Sequence, residues 1–303
     1  MAAQLGSYDF QGHKSLGFWN GRQPEPGVMA AVYRLPADAL CAQDAELLRQ
    51  NREDAAAVLA EQPLDAALWR EPCGISILGD SISSWRLSFL HILREALRGY
   101  PAVFHDFSVS GQKSGDLLAA MYPDIARAHA QLAHIMIGTN DCRRTLDVPN
   151  VLHTGLPEYE KNVRFLVSAL QAGGSRVIIS SIPPVDAAAI AHDFPAHRIL
   201  YREDDRLAFN AALDIAENGH ARVKPQLLLN LPPDLHSAGR ALGHDDHEVR
   251  LAAETGAVFN DMEPLYRAYA PQELTIDGIH LNRGAQRLLA GRVLQCMQAL
   301  RRQ

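Results

Sequence analysis

The sequence predicts an α/β fold, a parallel sheet covered by helices on both faces. From Ile75 onward, short apolar runs alternate with longer segments of helical periodicity. Strands that alternate with helices build βαβ units, whose strands run parallel and are covered on both sides. A chain of 303 residues with 47% hydrophobic composition can also bury one large core, or a main domain with a smaller appendage.

The strands are expected at "ISIL" (75–78), "VFHDFSV" (103–109), "AHIMI" (133–137), "RVIISS" (176–181) and "AVFN" (257–260). Helical periodicity marks "WRLSFLHILREALR" (85–98), where Leu87, Leu90, Ile92, Leu93 and Leu97 make an apolar stripe. It recurs in 115–132 and 158–172, and in the closing segment 283–300. Residues 1–72 break this rhythm. They cross the Pro-rich "RQPEPG" and turn Ala-rich and helical over 41–62, so they read as an N-terminal extension of unknown role, either packed on a main domain of residues 73–303 or forming a separable subdomain. A second departure, an insertion at about 218–248, sits where a short connection to the last strand would suffice, and loops of that length are often functional.

Composition narrows the partners. With 29 Lys plus Arg against 35 Asp plus Glu, a net charge of −6 and no basic block, nothing provides the phosphate neutralisation that nucleic-acid binding requires. The opening residues hold no continuous apolar core of signal-peptide length, and no stretch approaches the ~18 apolar residues of a membrane span. Cys41, Cys73, Cys142 and Cys296 lie far apart, without zinc-site spacing or disulfide-scaffold density, which fits a reduced cytoplasmic setting.

In an open parallel sheet, ligands bind beyond the carboxyl ends of the strands. "GDS" (79–81), "SGQKSG" (110–115) and "GTND" (138–141) follow the first three strands, and "DGIHLN" (277–282) precedes the C-terminal helix. Together they offer what acyl transfer needs: a nucleophile, a base, a group that orients the base, and oxyanion donors. Ser81, on a strand-to-helix turn, is the expected nucleophile. His280 is the expected base, with Asp277 three residues before it to fix its tautomer. The Gly111 N–H, the Asn140 amide and the Ser81 N–H make a three-donor oxyanion hole. Each alone has a plain structural use: Ser81 as a helix N-cap, Gly111 and Asn140 as turn formers, Asp277 as a local cap. The case rests on the four blocks occurring together.

These blocks are not the G-x-S-x-G elbow, since Ser83 stands two residues after Ser81. They resemble the SGNH hydrolase superfamily, the GDSL esterases and lipases, whose four blocks they follow in order over residues 74–302. The resemblance implies a flavodoxin-like three-layer α/β/α sandwich around a five-stranded parallel sheet, with no metal and no cofactor. It implies a serine esterase acting on short acyl esters, O-acetyl groups included, of a small molecule or carbohydrate. An acyltransferase would use the same residues. A non-catalytic binding module would keep only the fold, which the intact set of site residues argues against.

Three further features stand outside the blocks. Arg143 and Arg144 follow the oxyanion Asn and are candidates to hold an anionic group of the substrate, against the alternative of a solvated loop. Cys142 reads as a packing residue. His236, His244 and His247 offer metal-type ligands, but in a polar loop they read as solvent-exposed.

Overall fold

The computed structural model of the protein describes residues 9–11, 14, 26–213 and 257–303. The expected insertion at 218–248, with its three histidines, lies outside the described residues. Among those described, the strands are β1 (Cys73–Gly79), β2 (Ala102–Ser108), β3 (Leu132–Met136), β4 (Arg144–Thr145), β5 (Val148–Leu152), β6 (Arg176–Ser180), β7 (Ile199–Leu200) and β8 (Val258–Asn260). Five of them form the main sheet, in the order β2-β1-β3-β6-β8 and parallel throughout. Each matches an apolar run of the sequence to within two residues at either end.

The main helices are α1 (Pro26–Tyr33), α2 (Ala37–Glu61), α3 (Ser81–Ser84), α4 (Phe89–Ala96), α5 (Leu156–Ala172), α6 (Ala187–Asp193), α7 (Glu203–Leu213) and α8 (Arg283–Arg301). Side-chain alternation along the strands divides the core in two. Ile75, Ile77, Leu132 and Ile178 face a layer made by α2, α4 and α8, which supply Val58, Leu90, Leu93, Leu289 and Leu294. Leu78, Ala133, Ile135, Val177 and Ile179 face the opposite layer, with Val163 and Leu166 of α5 and Phe209 of α7. The fold is the expected three-layer α/β/α sandwich.

Several local expectations need correction. The helix expected over 85–98 is shorter, because Trp85 leaves helical geometry at ψ 135° and α4 starts only after Ser88, so a break separates it from α3. The break is chemically closed. Buried Gln286 of α8 donates to the Ile82 carbonyl at 3.0 Å and accepts from the Phe89 N–H at 2.8 Å, satisfying one backbone group of each helix. The helix expected over 115–132 is also irregular, with a π-turn over Leu117–Met121 just before Pro123, which has no N–H to continue the regular ladder. The small antiparallel sheet β5-β4-β7 was not anticipated. Two of its strands have only two residues each, too few to show a period.

The N-terminal residues share the core of the sheet domain. Ala55, Val58 and Trp69 belong to one apolar cluster with α4 and α8. Asp54 of α2, 2% exposed, pairs with Arg283 of α8 through two contacts of 2.9 Å. Removing one partner of a buried charged pair leaves the other undersatisfied. Asp54→Ala should therefore lower stability by about 1–3 kcal/mol, in one cooperative urea transition by both fluorescence and circular dichroism. An early, separate transition would show instead that α2 unfolds apart from the sheet.

Candidate active site

The first element of the site is the turn at the end of β1. A Cβ on Gly79 would stand 2.8 Å from the Ser83 Cβ and still closer to its hydroxyl, so only glycine lets the chain fold back this tightly. Asp80 then caps α3, its carboxylate accepting the Ile82 N–H at 3.0 Å. Ser81 is thereby the first residue of the helix, 8% exposed.

The second element arrives from just before α8. His280 Nδ1–H donates to Asp277 Oδ2 at 2.5 Å, and Ser81 Oγ–H donates to His280 Nε2 at 2.8 Å. The carboxylate sets this tautomer, since it can only accept from Nδ1. Asp277 Oδ1 accepts the backbone N–H groups of Ile279 and His280 at 3.0 and 2.9 Å, which locks the turn. Burial works against its charge, but the hydrogen bond from His280, the charge attraction and the two N–H groups prevail, and the carboxyl is held below its ordinary value.

The third element is the loop after β2. Gly111 has φ +79°, which turns the backbone as a side-chain-bearing residue rarely does. The Asn140 amide donates to the Gln112 carbonyl at 3.0 Å, which orients it and leaves its second N–H to point elsewhere. Asp141 staples the same loop: its carboxylate accepts the Ser114 N–H at 3.0 and 3.1 Å and the Ser114 hydroxyl at 2.6 Å. Ser81, Gly111, Asn140 and the Asp277–His280 pair thus stand on four segments, linked by contacts between them. Ser84 of the α3 turn and Ser110 of the loop approach to 3.2 Å between hydroxyl oxygens.

The two arginines part company. Along a strand, neighbouring side chains point to opposite faces. Arg144 opens β4 and is 9% exposed; its guanidinium takes Asp205 in a two-pronged contact of 2.6 and 2.7 Å and donates to the Pro149 carbonyl at 3.2 Å. Its donors are spent inside the protein. Arg143 lies on the other side with Thr145, both reaching His153, at 3.3 Å for the Arg143 Nη2. Cys142 is buried, and burial pushes its thiol far up, out of the range where a thiolate forms. All four cysteines are free thiols, and among the described residues no helix is long and apolar enough to cross a membrane.

The sequence reading passed over Asp141, Gln286 and Phe10. Asp141 was in plain view beside Asn140, where a carboxylate facing a Gly- and Ser-rich loop is a signal for backbone capture. Gln286 and Phe10 carry no local signal, because their partners lie far along the chain.

Burial pushes the Asp80 carboxyl up to about 6, against the Ile82 N–H and the His280 charge, which act the other way. Between its ordinary value of 3.8 and that point, the folded chain holds a proton that the unfolded chain has lost. Stability contributed by Asp80 therefore falls as pH rises through this window. Asp80→Asn keeps a cap acceptor and cannot ionise. Measured by urea unfolding, it should gain on wild type by on the order of 2 kcal/mol between pH 4 and pH 7, and a pH-independent difference would contradict this account.

Several solved structures share this architecture. LAE5, described as an alpha/beta hydrolase enzyme from the metagenome of Lake Arreo, superimposes with a TM-score of 0.54 at 18% identity, over 77% of this chain and 98% of its own. Axe2, an acetylxylan esterase from Geobacillus stearothermophilus, gives 0.52 at 17%, over 76% and 95%. The acetyl xylan esterase AlAXEase gives 0.50 at 17%, over 74% and 98%. No curated protein matches the sequence. Likenesses this remote speak for the fold alone. The sequence itself goes further, for residues 77–288, more than two thirds of the chain, match the GDSL-like lipase/acylhydrolase family, and the protein belongs to that family.

Proposed function

We propose that the protein is a serine esterase that hydrolyses short acyl esters of a small molecule or carbohydrate through an acyl-serine intermediate. The observation that carries this reading is the unbroken run of hydrogen bonds from Asp277 through His280 to Ser81, at 2.5 and 2.8 Å. Nε2 of His280 takes the Ser81 proton as Oγ attacks the ester carbonyl carbon. The oxyanion forms within reach of the Ser81 and Gly111 N–H groups and the Asn140 amide. As the tetrahedral adduct collapses, His280 returns the proton to the leaving alcohol oxygen. Water then attacks the acyl-serine, gives its proton to His280, and the carboxylic acid departs as Ser81 Oγ is reprotonated. Asp277 stays ionised throughout, stabilising the imidazolium that forms twice per turnover.

O-acetyl esters of carbohydrates lead the substrate classes, because two proteins with this fold are described as acetyl xylan esterases. Of the arginines, Arg143 is the one left to meet an anionic group on the substrate, since Arg144 is engaged by Asp205.

Ser81→Ala should fold as wild type and lose several orders of magnitude of turnover on p-nitrophenyl acetate, as triad members act as a unit; near-normal turnover would sink the assignment. Asn140→Ala should lower kcat by about 10²–10³ with a smaller change in KM, because its donor acts on charge that develops in the transition state. A pure KM effect would make Asn140 a substrate-binding residue. For a hemisuccinate ester against its methyl-capped analogue, Arg143→Ala should cut the preference for the anion by about tenfold, and Arg144→Ala should instead lower stability. Unchanged ratios in both variants would return Arg143 to the surface.

A further inference from the structure

Phe10 precedes the span that matches the family, yet it stands at the histidine of the site. Its ring lies 4.4 Å from that of His280, centroid to centroid, and stacks on Trp85 at 5.8 Å with 16° between planes. Phe194 approaches the same imidazole edge-on at 6.5 Å.

The backbone that carries Phe10 is built into the site. The Phe10 carbonyl accepts the Ser84 hydroxyl at 3.2 Å and the Ser110 hydroxyl at 2.8 Å, one from the helix that Ser81 opens and one from the residue before Gly111. Gln11 donates from Nε2 to the Ser84 carbonyl at 2.6 Å, and the Arg86 N–H donates to the Asp9 carbonyl at 2.8 Å. The Asp9 carboxylate accepts from Gln43 of α2 at 2.8 and 3.0 Å. Lys14 is tied to Asp106 of β2 at 2.5 Å. A residue held from this many sides has a fixed position, which is what a wall of a binding site requires.

We infer that Phe10 is a specificity-determining residue for the alcohol half of the ester, an inference that rests on the esterase reading above. In that reading His280 hands its proton to the leaving oxygen, so the alcohol must lie against the imidazole. The side chains that cover the imidazole therefore line the alcohol site. Phe10 and Phe194 give it two uncharged aromatic rings, and aromatic faces stack on other flat apolar surfaces. The matching alcohol presents such a surface, an aryl ring or the C–H face of a sugar ring.

The test compares benzyl acetate with methyl acetate, which share an acyl group and an unactivated alkyl leaving oxygen and differ in the flat ring. kcat/KM is measured for both on wild type, Phe10→Ala, Phe10→Leu and Phe10→Tyr, with folding checked by urea unfolding and Ser81 by fluorophosphonate labelling. Phe10→Ala should lose about tenfold more on benzyl than on methyl acetate, chiefly through KM; that ratio corresponds to about 1.4 kcal/mol. Phe10→Tyr keeps the ring and should keep the preference, and Phe10→Leu should lose most of it while filling the space. Equal losses on both esters would reduce Phe10 to a support for His280 and overturn the inference, as would no loss on either. A wild-type protein that neither labels at Ser81 nor cleaves either ester would bring down the esterase reading, and this inference with it. Labelling and turnover with an unaltered ratio would bring down the inference alone.

Discussion

The site depends on the pairing of β1 with two parallel neighbours at once. Gly79 stands opposite Ser108 on one side and Met136 on the other, so three successive segments leave the sheet at one height. The crossovers from β1 and β3 run to opposite sides, which opens a crevice between the loops, the usual place for a ligand in such sheets. Because the strand register has brought the loops level, single hydrogen bonds suffice to bind them to one another. Asn140 reaches the Gln112 carbonyl, Asp141 reaches Ser114, and the Ser84 and Ser110 hydroxyls donate to one shared carbonyl, that of Phe10. A shift of register by one residue in β2 or β3 would move each of these pairs out of reach and flip the strand's apolar side chains to the wrong layer.

Three carboxylates stand at this crevice, Asp80 and Asp141 buried and Asp277 half-buried, and their surroundings give them different affinities for a proton. Burial raises Asp80 and Asp141, outweighing the hydrogen bonds and the nearby His280 and Lys113 that act the other way. Burial also acts on Asp277, but there the imidazole and two N–H groups outweigh it and the carboxyl is lowered. Negative charge is thus favoured at the one carboxylate of the three that is bonded to an imidazole. Environments that separate the proton affinities of like groups are a common sign of assigned chemical roles.

The five main strands and most helices were legible because their signals are local: an apolar run fixes a strand, and a 3.6-residue stripe fixes a helix. Ser81, Asn140 and the Asp277–His280 pair were visible for a similar reason, each lying in a short block next to an element end. What escaped notice depends on distance along the chain. β4 has only two residues, and it pairs both with β5 beside it and with Ile199 and Leu200 some fifty residues later, while the Asp205 that takes Arg144 is as distant. The break between α3 and α4 needs Gln286 from α8 to close it. Phe10 is an aromatic residue in an unpatterned segment, and nothing nearby in the sequence states that its carbonyl will meet Ser84 and Ser110.

The hydrogen bond between Ser81 and His280 joins residues 199 positions apart, whereas Asp277 and His280 are separated by only three. The carboxylate and the imidazole therefore come from one short block, remote in sequence from the hydroxyl that they face. Without that block the Ser81 hydroxyl would be an ordinary alcohol, since the imidazole that meets it at 2.8 Å belongs to the block. When α8 docks, it seats Gln286 between α3 and α4 and brings His280 to Ser81 from the same stretch of backbone. Closing the gap between α3 and α4 and placing the imidazole at Ser81 are thus tasks of one stretch of backbone, residues 280–286.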